Sequence, residues 1–241
     1  MKYLIIANGI AVDDDPLLKL VKEADVVVCA DGGARYLKII GIAPNVLIGD
    51  MDSIGDNENI YFTDITTTIS SESKSLEQNK TIVIKYPRQK DASDTELAVL
   101  WAIDQGAEYI TLTGVTGTRM DHTLSNIFLL KKIGEKGVRC KIVDNHNEIF
   151  LLSNDLTENH PADKGGSSDC SLSIDGKIGE LLSIIPVTQE VRGVTLRGLE
   201  YPLNNAVLAF GSSRGVSNVF NQTTAYISIK SGMVLITKSC D

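Results

Sequence analysis

The chain has 241 residues, 43% of them apolar and 22% charged, enough to bury a substantial core and too apolar for a disordered segment. Acidic residues outnumber basic ones 31 to 23, for a net charge of -8. A surface of that sign repels phosphate backbones, so nucleic acid is excluded as the expected partner, whereas carboxylates gathered in one place would attract a divalent cation.

In chain order, the opening "MKYLIIANGIAV" combines one lysine with an apolar run, as a signal peptide does. The run is short and broken by Asn8-Gly9, and it reads instead as a buried strand ending in a turn. "YLIIA", "DVVVCA", "NVLIGD", "TIVIKYP", "YITLTG" and "CKIVD" are short, β-branched and mostly apolar on both faces, the pattern of strands in a buried parallel sheet. Helices are predicted between them at Pro16 to Ala24, Ala34 to Ile40, Asp94 to Gln105 and His122 to Lys136. Ser93 and Glu96 have capping-box spacing at the start of the third. "TTTISSESKSLEQNK" is polar and low in complexity and reads as an exposed loop.

Composition changes after "NEIFLLS". The segment "NDLTENHPADKGGSSD" is polar and contains proline and glycine, as a linker does. Beyond it the strands read as antiparallel: Asp175-Gly176 lies between two strand-like runs as a hairpin signal, and "AYISIKSGMVLIT" repeats the pattern around Lys-Ser-Gly. No long helix is visible there, and no segment approaches membrane-spanning length. The expected fold is α/β: a Rossmann-like, mostly parallel sheet domain over 1–153, a linker at 154–169 and an all-β domain over 170–241. The four cysteines, Cys29, Cys140, Cys170 and Cys240, form no CxxC pair, so reduced thiols in a cytoplasmic protein are expected rather than a disulfide framework or zinc site.

Ligands of open α/β sheets bind outside the carboxyl ends of the strands, and the loops predicted there carry aspartates. "GDMDS" sets Asp50 and Asp52 two apart, pointing the same way in extended chain. Two such charges held together call for a cation or a proton, and Mg²⁺ takes oxygen ligands with waters and substrate phosphates; a hydrated acidic turn reads equally well. "KDASDTE" brings Asp91 and Asp94 to a helix start beside Lys90. Capping accounts for one of these aspartates, and Lys90 is either a phosphate partner or a surface lysine. Asp31-Gly32-Gly33 before a helix would let backbone N–H groups approach an anion, or simply make a strand-to-helix turn. In "TGVTGTRMDHTLSN", Gly114 and Gly117 permit a tight loop and Arg119 offers a planar fork suited to phosphate. Asp121 falls at a helix start, where capping is the plain alternative, and His122 is either titrating or a hydrogen-bonded structural histidine.

Taken in order, "DGGA", "GDMDS", "KDASDTE", "TGVTGTRMDHTLSN", "GVTLRGLEYPL" and "GVSN" resemble the thiamine pyrophosphokinase family over most of the chain. The resemblance implies an α/β catalytic domain that binds ATP and Mg²⁺, followed by a β-sandwich that helps hold thiamine. It implies transfer of the terminal pyrophosphoryl group of ATP to the thiamine hydroxyl, giving thiamine diphosphate and AMP. By the same resemblance, Asp50, Asp52 and Asp94 would be metal ligands. Asp91 and Asp121 would act as further ligands or accept the hydroxyl proton. Arg119 and Lys90 would hold the transferring phosphates, while Asp31, Gly32, Gly33, Gly114 and Gly117 would accommodate the nucleotide. Ser217 and Asn218 would lie near the thiamine pyrimidine, and the family's homodimer would share its sites between one chain's α/β domain and the other's β domain. Two residues depart from the family pattern: Thr118 stands where glycine is usual, and Glu200 where lysine is common.

Two other readings remain at this stage. A nucleotide-sugar transferase would use Asp50 and Asp52 as its DxD pair, but leaves "KDASD", "GTRMDH" and the β domain unexplained. A thiamine or nucleotide sensor on the same scaffold would not need so many carboxylates.

Overall fold

The computed structural model describes residues 1–50, 81–154 and 170–240. Asp52, the polar stretch at 66–80 and all of the expected linker except Asn154 lie outside the described residues. Two compact units form: Met1–Leu129 with Val138–Asn145, and Leu130–Gly137 with His146–Asp241.

The first unit contains six parallel strands: β1 (Lys2–Ile6), β2 (Val26–Ala30), β3 (Val46–Gly49), β4 (Ile82–Lys85), β5 (Tyr109–Thr113) and β6 (Arg139–Val143). Their order is β6-β5-β1-β2-β3-β4, every pairing parallel. All five residues of β2 and all four of β3 are buried, as strands apolar on both faces must be when helices cover the sheet. Helices α1 (Asp14–Glu23), α2 (Ala34–Ile39) and α3 (Asp94–Asp104) alternate with the strands, and α4 (Met120–Glu135) follows β5. Leu17 of α1 and Leu37 of α2 complete a core with Leu4, Ile6, Val27, Cys29 and Leu47. The predicted start of α3 holds: the Ser93 hydroxyl accepts from the Glu96 N–H at 3.2 Å. Because β1 has β2 on one side and β5 on the other, the chain reverses its direction of growth across the sheet at β1/β5. That switch point is where such sheets open a crevice.

The second unit is antiparallel. One sheet runs β12-β9-β14-β7, from β12 (Asn218–Val219), β9 (Leu181–Pro186), β14 (Met233–Ser239) and β7 (Asn147–Ser153). The other runs β11-β10-β13-β8, from β11 (Leu203–Ala209), β10 (Glu190–Arg197), β13 (Thr224–Ile229) and β8 (Cys170–Asp175). Leu182, Ile184, Val234 and Ile236 of the first sheet share one buried core with Val191, Leu196, Leu208 and Ile227 of the second, which makes a two-layer sandwich. β7, placed in the α/β domain by a boundary at Ser153, pairs along its whole length with β14 of this unit.

The two hairpin signals do not make hairpins. β8 pairs with β13 and β9 with β14, so Asp175-Gly176 carries the chain from one sheet to the other, and Lys230-Ser231-Gly232 does the same between β13 and β14. Gly176 serves this corner by closeness rather than by a primed turn: a Cβ there would strike the Phe220 ring, and its N–H donates to the Thr223 carbonyl at 3.0 Å. None of the four cysteines is in a disulfide; burial pushes the Cys29 thiol upward and the Cys140 thiol up to about 12, so both are inert at neutral pH.

Candidate active site

A cavity of about 480 Å³ opens in the first unit where β1, β2 and β5 end. Its walls come from the loop after β1 (Asn8, Gly9), the end of β2 (Asp31), the start of α3 (Asp94), the loop after β5 (Gly114 to Arg119) and the first turns of α4. Two of these loops are knitted together by backbone. The Gly9 N–H donates to the Gly114 carbonyl at 2.6 Å, and the Ile10 N–H to the Thr116 carbonyl at 2.7 Å. Approach this close excludes a side chain: a Cβ on Gly9 would overlap the carbonyl oxygens of Thr116 and Gly114. Gly114 has φ +67, and its own Cβ would enter the Ala7 carbonyl.

The glycines predicted to make room for a nucleotide divide by role. Gly32 and Gly33 are buried behind the wall, tight against the Asn8 amide and the Ile6 carbonyl respectively. Gly117 lines the cavity with only ordinary 3.8 Å contacts around a hypothetical Cβ, so packing alone does not demand glycine there. Asp31, on the cavity wall, has φ +49; a non-glycine residue held in the left-handed region stores about 1–3 kcal/mol and is a mark of functional geometry. Thr118 also lines the cavity and is not among the left-handed positions. The backbone therefore accepts a β-branched residue where the family pattern has glycine.

The charged groups are paired with one another. Lys90 Nζ lies 2.5 Å from Asp94 Oδ1, the two side chains only 14% and 23% exposed. A Cβ on Gly49 would sit 3.4 Å from the same Asp94 oxygen and 3.3 Å from Asp31 Cα, so the end of β3, from which half-buried Asp50 follows, reaches Asp94 and Asp31. Asp91 stands exposed three residues before Asp94. Arg119 grips Asp121 with a two-point fork, NH2 to Oδ2 at 2.6 Å and Nε to Oδ1 at 3.3 Å, both side chains well exposed. This fork, helped by the His122 backbone N–H, holds the Asp121 carboxyl below the usual carboxylate range, and the same pairing raises Arg119. Asp121 thus lies in the first turn of α4 bound to Arg119, while His122 lines the cavity.

Several cavity residues escaped the sequence reading. Gly9 accepts from the Tyr36 hydroxyl and from the Arg35 guanidinium, which also stacks over the Tyr36 ring. Thr123 and Asn126 on α4 reach back to the loop after β5. A signal existed in each case, Asn-Gly after the first strand and polar residues inside "DHTLSN", but turn and cap chemistry explained them without a site.

In the second unit Ser217 has φ +58 and donates its N–H to Ser183 Oγ at 3.0 Å. Asn218 is 3% exposed. Its carbonyl oxygen accepts from the N–H groups of Tyr201 and Val219, both at 2.9 Å, and its amide nitrogen donates to the Tyr201 carbonyl at 2.8 Å. Glu200, beside that corner, donates its N–H to the Val219 carbonyl at 2.9 Å.

Residues 17–142 match the family model for the thiamin pyrophosphokinase catalytic domain, and residues 170–234 the model for the thiamin pyrophosphokinase vitamin B1 binding domain. Among curated relatives, thiamine pyrophosphokinase of Bacillus subtilis (strain 168) is 28% identical over 211 residues, 88% of this chain and 86% of its own. The crystal structure of thiamine pyrophosphokinase from Bacillus subtilis superposes with a TM-score of 0.78 at 25% identity, covering 100% of both chains. That of thiamin pyrophosphokinase from Geobacillus thermodenitrificans gives 0.76 at 26% identity, covering 100% of this chain and 98% of the other.

Proposed function

The chain belongs to the thiamin pyrophosphokinase family, and we propose that it moves the terminal pyrophosphoryl group of ATP to the thiamine hydroxyl with Mg²⁺, releasing AMP. Its class, a transferase acting on thiamine, follows from that membership; the donor, the metal and the residue roles are our reading. The observation that carries it is the switch-point cavity, lined both by Arg119 of the loop after β5 and by Asp94 at the start of α3.

The donor chemistry suits Mg²⁺. Asp50 and Asp94 offer hard carboxylate oxygens, and the end of β3 brings them to one edge. Among the described residues no three His, Cys, Asp or Glu side chains form a cluster, and Mg²⁺ is normally held by one or two carboxylates plus substrate phosphates and waters. Asp52 completes the proposed ligand set. Bound there, Mg²⁺ would neutralise charge on the transferring phosphates.

The chain's own residues supply the rest. Attack of a weak alcohol on phosphorus needs positioning and charge neutralisation more than a covalent nucleophile. Arg119 and Lys90 present cations to the phosphates once their carboxylate partners are otherwise engaged, and Asp31, Gly114 and Gly117 frame the nucleotide. Asp121, kept ionised by the Arg119 fork, and Asp91 are the candidates to receive the hydroxyl proton. Ser217 and Asn218 shape the thiamine site, Asn218 by fixing the Tyr201 backbone. The division of labour we propose sets an ATP- and Mg²⁺-binding role in the first unit against a thiamine-binding role in the second, with β7 on the thiamine side rather than a boundary at Ser153.

We also propose a cytoplasmic homodimer with shared sites. In support, α4 exposes an apolar stripe at one-turn spacing, Met120, Leu124 and Phe128, 63%, 47% and 57% exposed, of the kind that marks protein contact. No described helix is long and apolar enough to cross a membrane. The test is to incubate the protein with ATP, Mg²⁺ and thiamine. AMP and thiamine diphosphate formed only when thiamine is present are expected. Thiamine binding without any product would make the chain a sensor.

A further inference from the structure

We propose that Thr123 and Asn126 are positioning residues that lock the loop after β5 onto α4, so that Arg119 projects from a fixed backbone; the inference rests on the nucleotide reading of the cavity given above. The loop from Gly114 to Arg119 is a connection between a strand and a helix, and such segments are ordinarily the mobile part of a fold. Here its outer side is bonded to the loop after β1 through Gly114 and Thr116. Its inner side is bonded to α4. Thr123 Oγ1 accepts the Gly117 N–H at 3.2 Å and lies 3.1 Å and 3.3 Å from the carbonyls of Arg119 and Gly117, either of which can take its one proton. One turn further, buried Asn126 donates its amide N–H to the Val115 carbonyl at 2.8 Å.

A threonine bonding the carbonyl four residues back is common within helices and says little. The bond to Gly117 is different in kind, because it reaches out of the helix and fixes a residue on the cavity wall. Gly117 carries no side chain to anchor it, and the space where a Cβ would stand meets Gly9 and Ile10 only at ordinary 3.8–4.0 Å, so its hydrogen bonds to Thr123 are what tie it to α4. Without the Thr123 hydroxyl, that N–H would turn to water and the loop beside Arg119 would lose an inner anchor. The Arg119 side chain is itself exposed and, among the described residues, is held by Asp121; what fixes the point from which it reaches a phosphate is the main chain at Gly117 to Arg119. Misplacement by about 1 Å is enough to weaken a charged contact substantially.

The experiment compares Thr123→Val, which keeps the shape and removes the hydroxyl, with Thr123→Ser, which restores it. Binding of a non-hydrolysable ATP analogue in the presence of Mg²⁺ is measured by calorimetry, with KM for thiamine and the melting temperature alongside. We expect Thr123→Val to weaken nucleotide binding by about 5- to 10-fold, the size of one lost hydrogen bond or slightly more. The thiamine KM stays near wild type, and Thr123→Ser recovers the affinity. A purely structural threonine would lower the active fraction and leave the nucleotide affinity and the thiamine KM alone, and that result overturns the proposal. If Thr123→Val melts below assay temperature, Asn126→Asp, which cannot donate to the Val115 carbonyl, carries the same test; loss of the fold in both variants makes the pair structural and also overturns it. Arg119→Ala separates the two levels. Weaker nucleotide binding in Arg119→Ala with wild-type binding in Thr123→Val refutes the positioning role alone, whereas unchanged binding in Arg119→Ala refutes the nucleotide reading beneath it.

Discussion

The cavity at the β1/β5 switch point and the Ser217–Asn218 corner use polar residues in opposite ways. Around the cavity, framework and reach fall to different residues: Gly9, Gly114, Thr123 and Asn126 hold the backbone, and Arg119 is left projecting with its side chain 70% exposed. At the β corner one residue is the framework, since Asn218 is 3% exposed and spends its amide on the backbone of Tyr201 and Val219. Both residues stand out in the sequence for the same reason, a polar type inside a glycine-containing motif. Burial and hydrogen-bond partners tell them apart: a buried amide bonded to backbone through both its oxygen and its nitrogen acts by holding other groups in place, and an exposed guanidinium acts by moving to a ligand.

The largest effect that would bear on this contrast is expected at Asp94, which touches both classes. Asp94→Ala removes a proposed metal ligand and strips half-buried Lys90 of its partner at 2.5 Å; turnover should fall at least about 100-fold, with the circular dichroism spectrum unchanged. Wild-type-like turnover would dissolve the metal assignment. Next comes Asn218→Ala. Three hydrogen bonds are lost, and a loss of about 2–3 kcal/mol in urea unfolding is expected, accompanied by a raised KM for thiamine. Arg119→Ala should leave the urea unfolding curve almost unchanged, as loss of an exposed pair does. Equal destabilisation by the two substitutions would erase the distinction between frame and reach.

The sequence is legible where pattern is local. The buried strands and the start of α3 follow from β-branched runs and from Ser93-x-x-Glu96 spacing, and the carboxylate loops do fall at strand ends. It misleads where one local signal serves two topologies. Asp175-Gly176 satisfies hairpin chemistry, yet the chain crosses to the other sheet there, because β8 finds its partner in β13, about fifty residues away in sequence. The same limit hid β7, whose apolar run suits either unit and whose partner β14 lies at the far end of the described chain. In the site, residue types named the charges but not their pairings. That Arg119 holds Asp121 and Lys90 holds Asp94 depends on rotamers across a turn, and the anchoring by Thr123 depends on how the loop folds back onto α4; composition carries neither.

The smallest expected effect is a titration, and it examines the reach of Arg119 directly. The Asp121 carboxyl is held below the usual carboxylate range first by the Arg119 fork, then by the His122 N–H. A depressed folded-state value means that the pair stabilises the protein above the unfolded-state pKa, about 3.9, and that this contribution disappears as pH falls through the folded value. The side chain is 65% exposed, so water and salt screen the pair and the consequence for stability is slight. The carboxyl itself reports more sensitively: the carbon-13 shift of Asp121, followed by NMR, should have its midpoint below about 3.9. Arg119→Ala should move that midpoint upward, and 1 M salt should move it part of the way. A midpoint indifferent to Arg119→Ala would mean that the fork does not persist in solution. Arg119 would then have no resting partner to leave when a phosphate arrives, and the cavity's cation would be poised by its backbone alone.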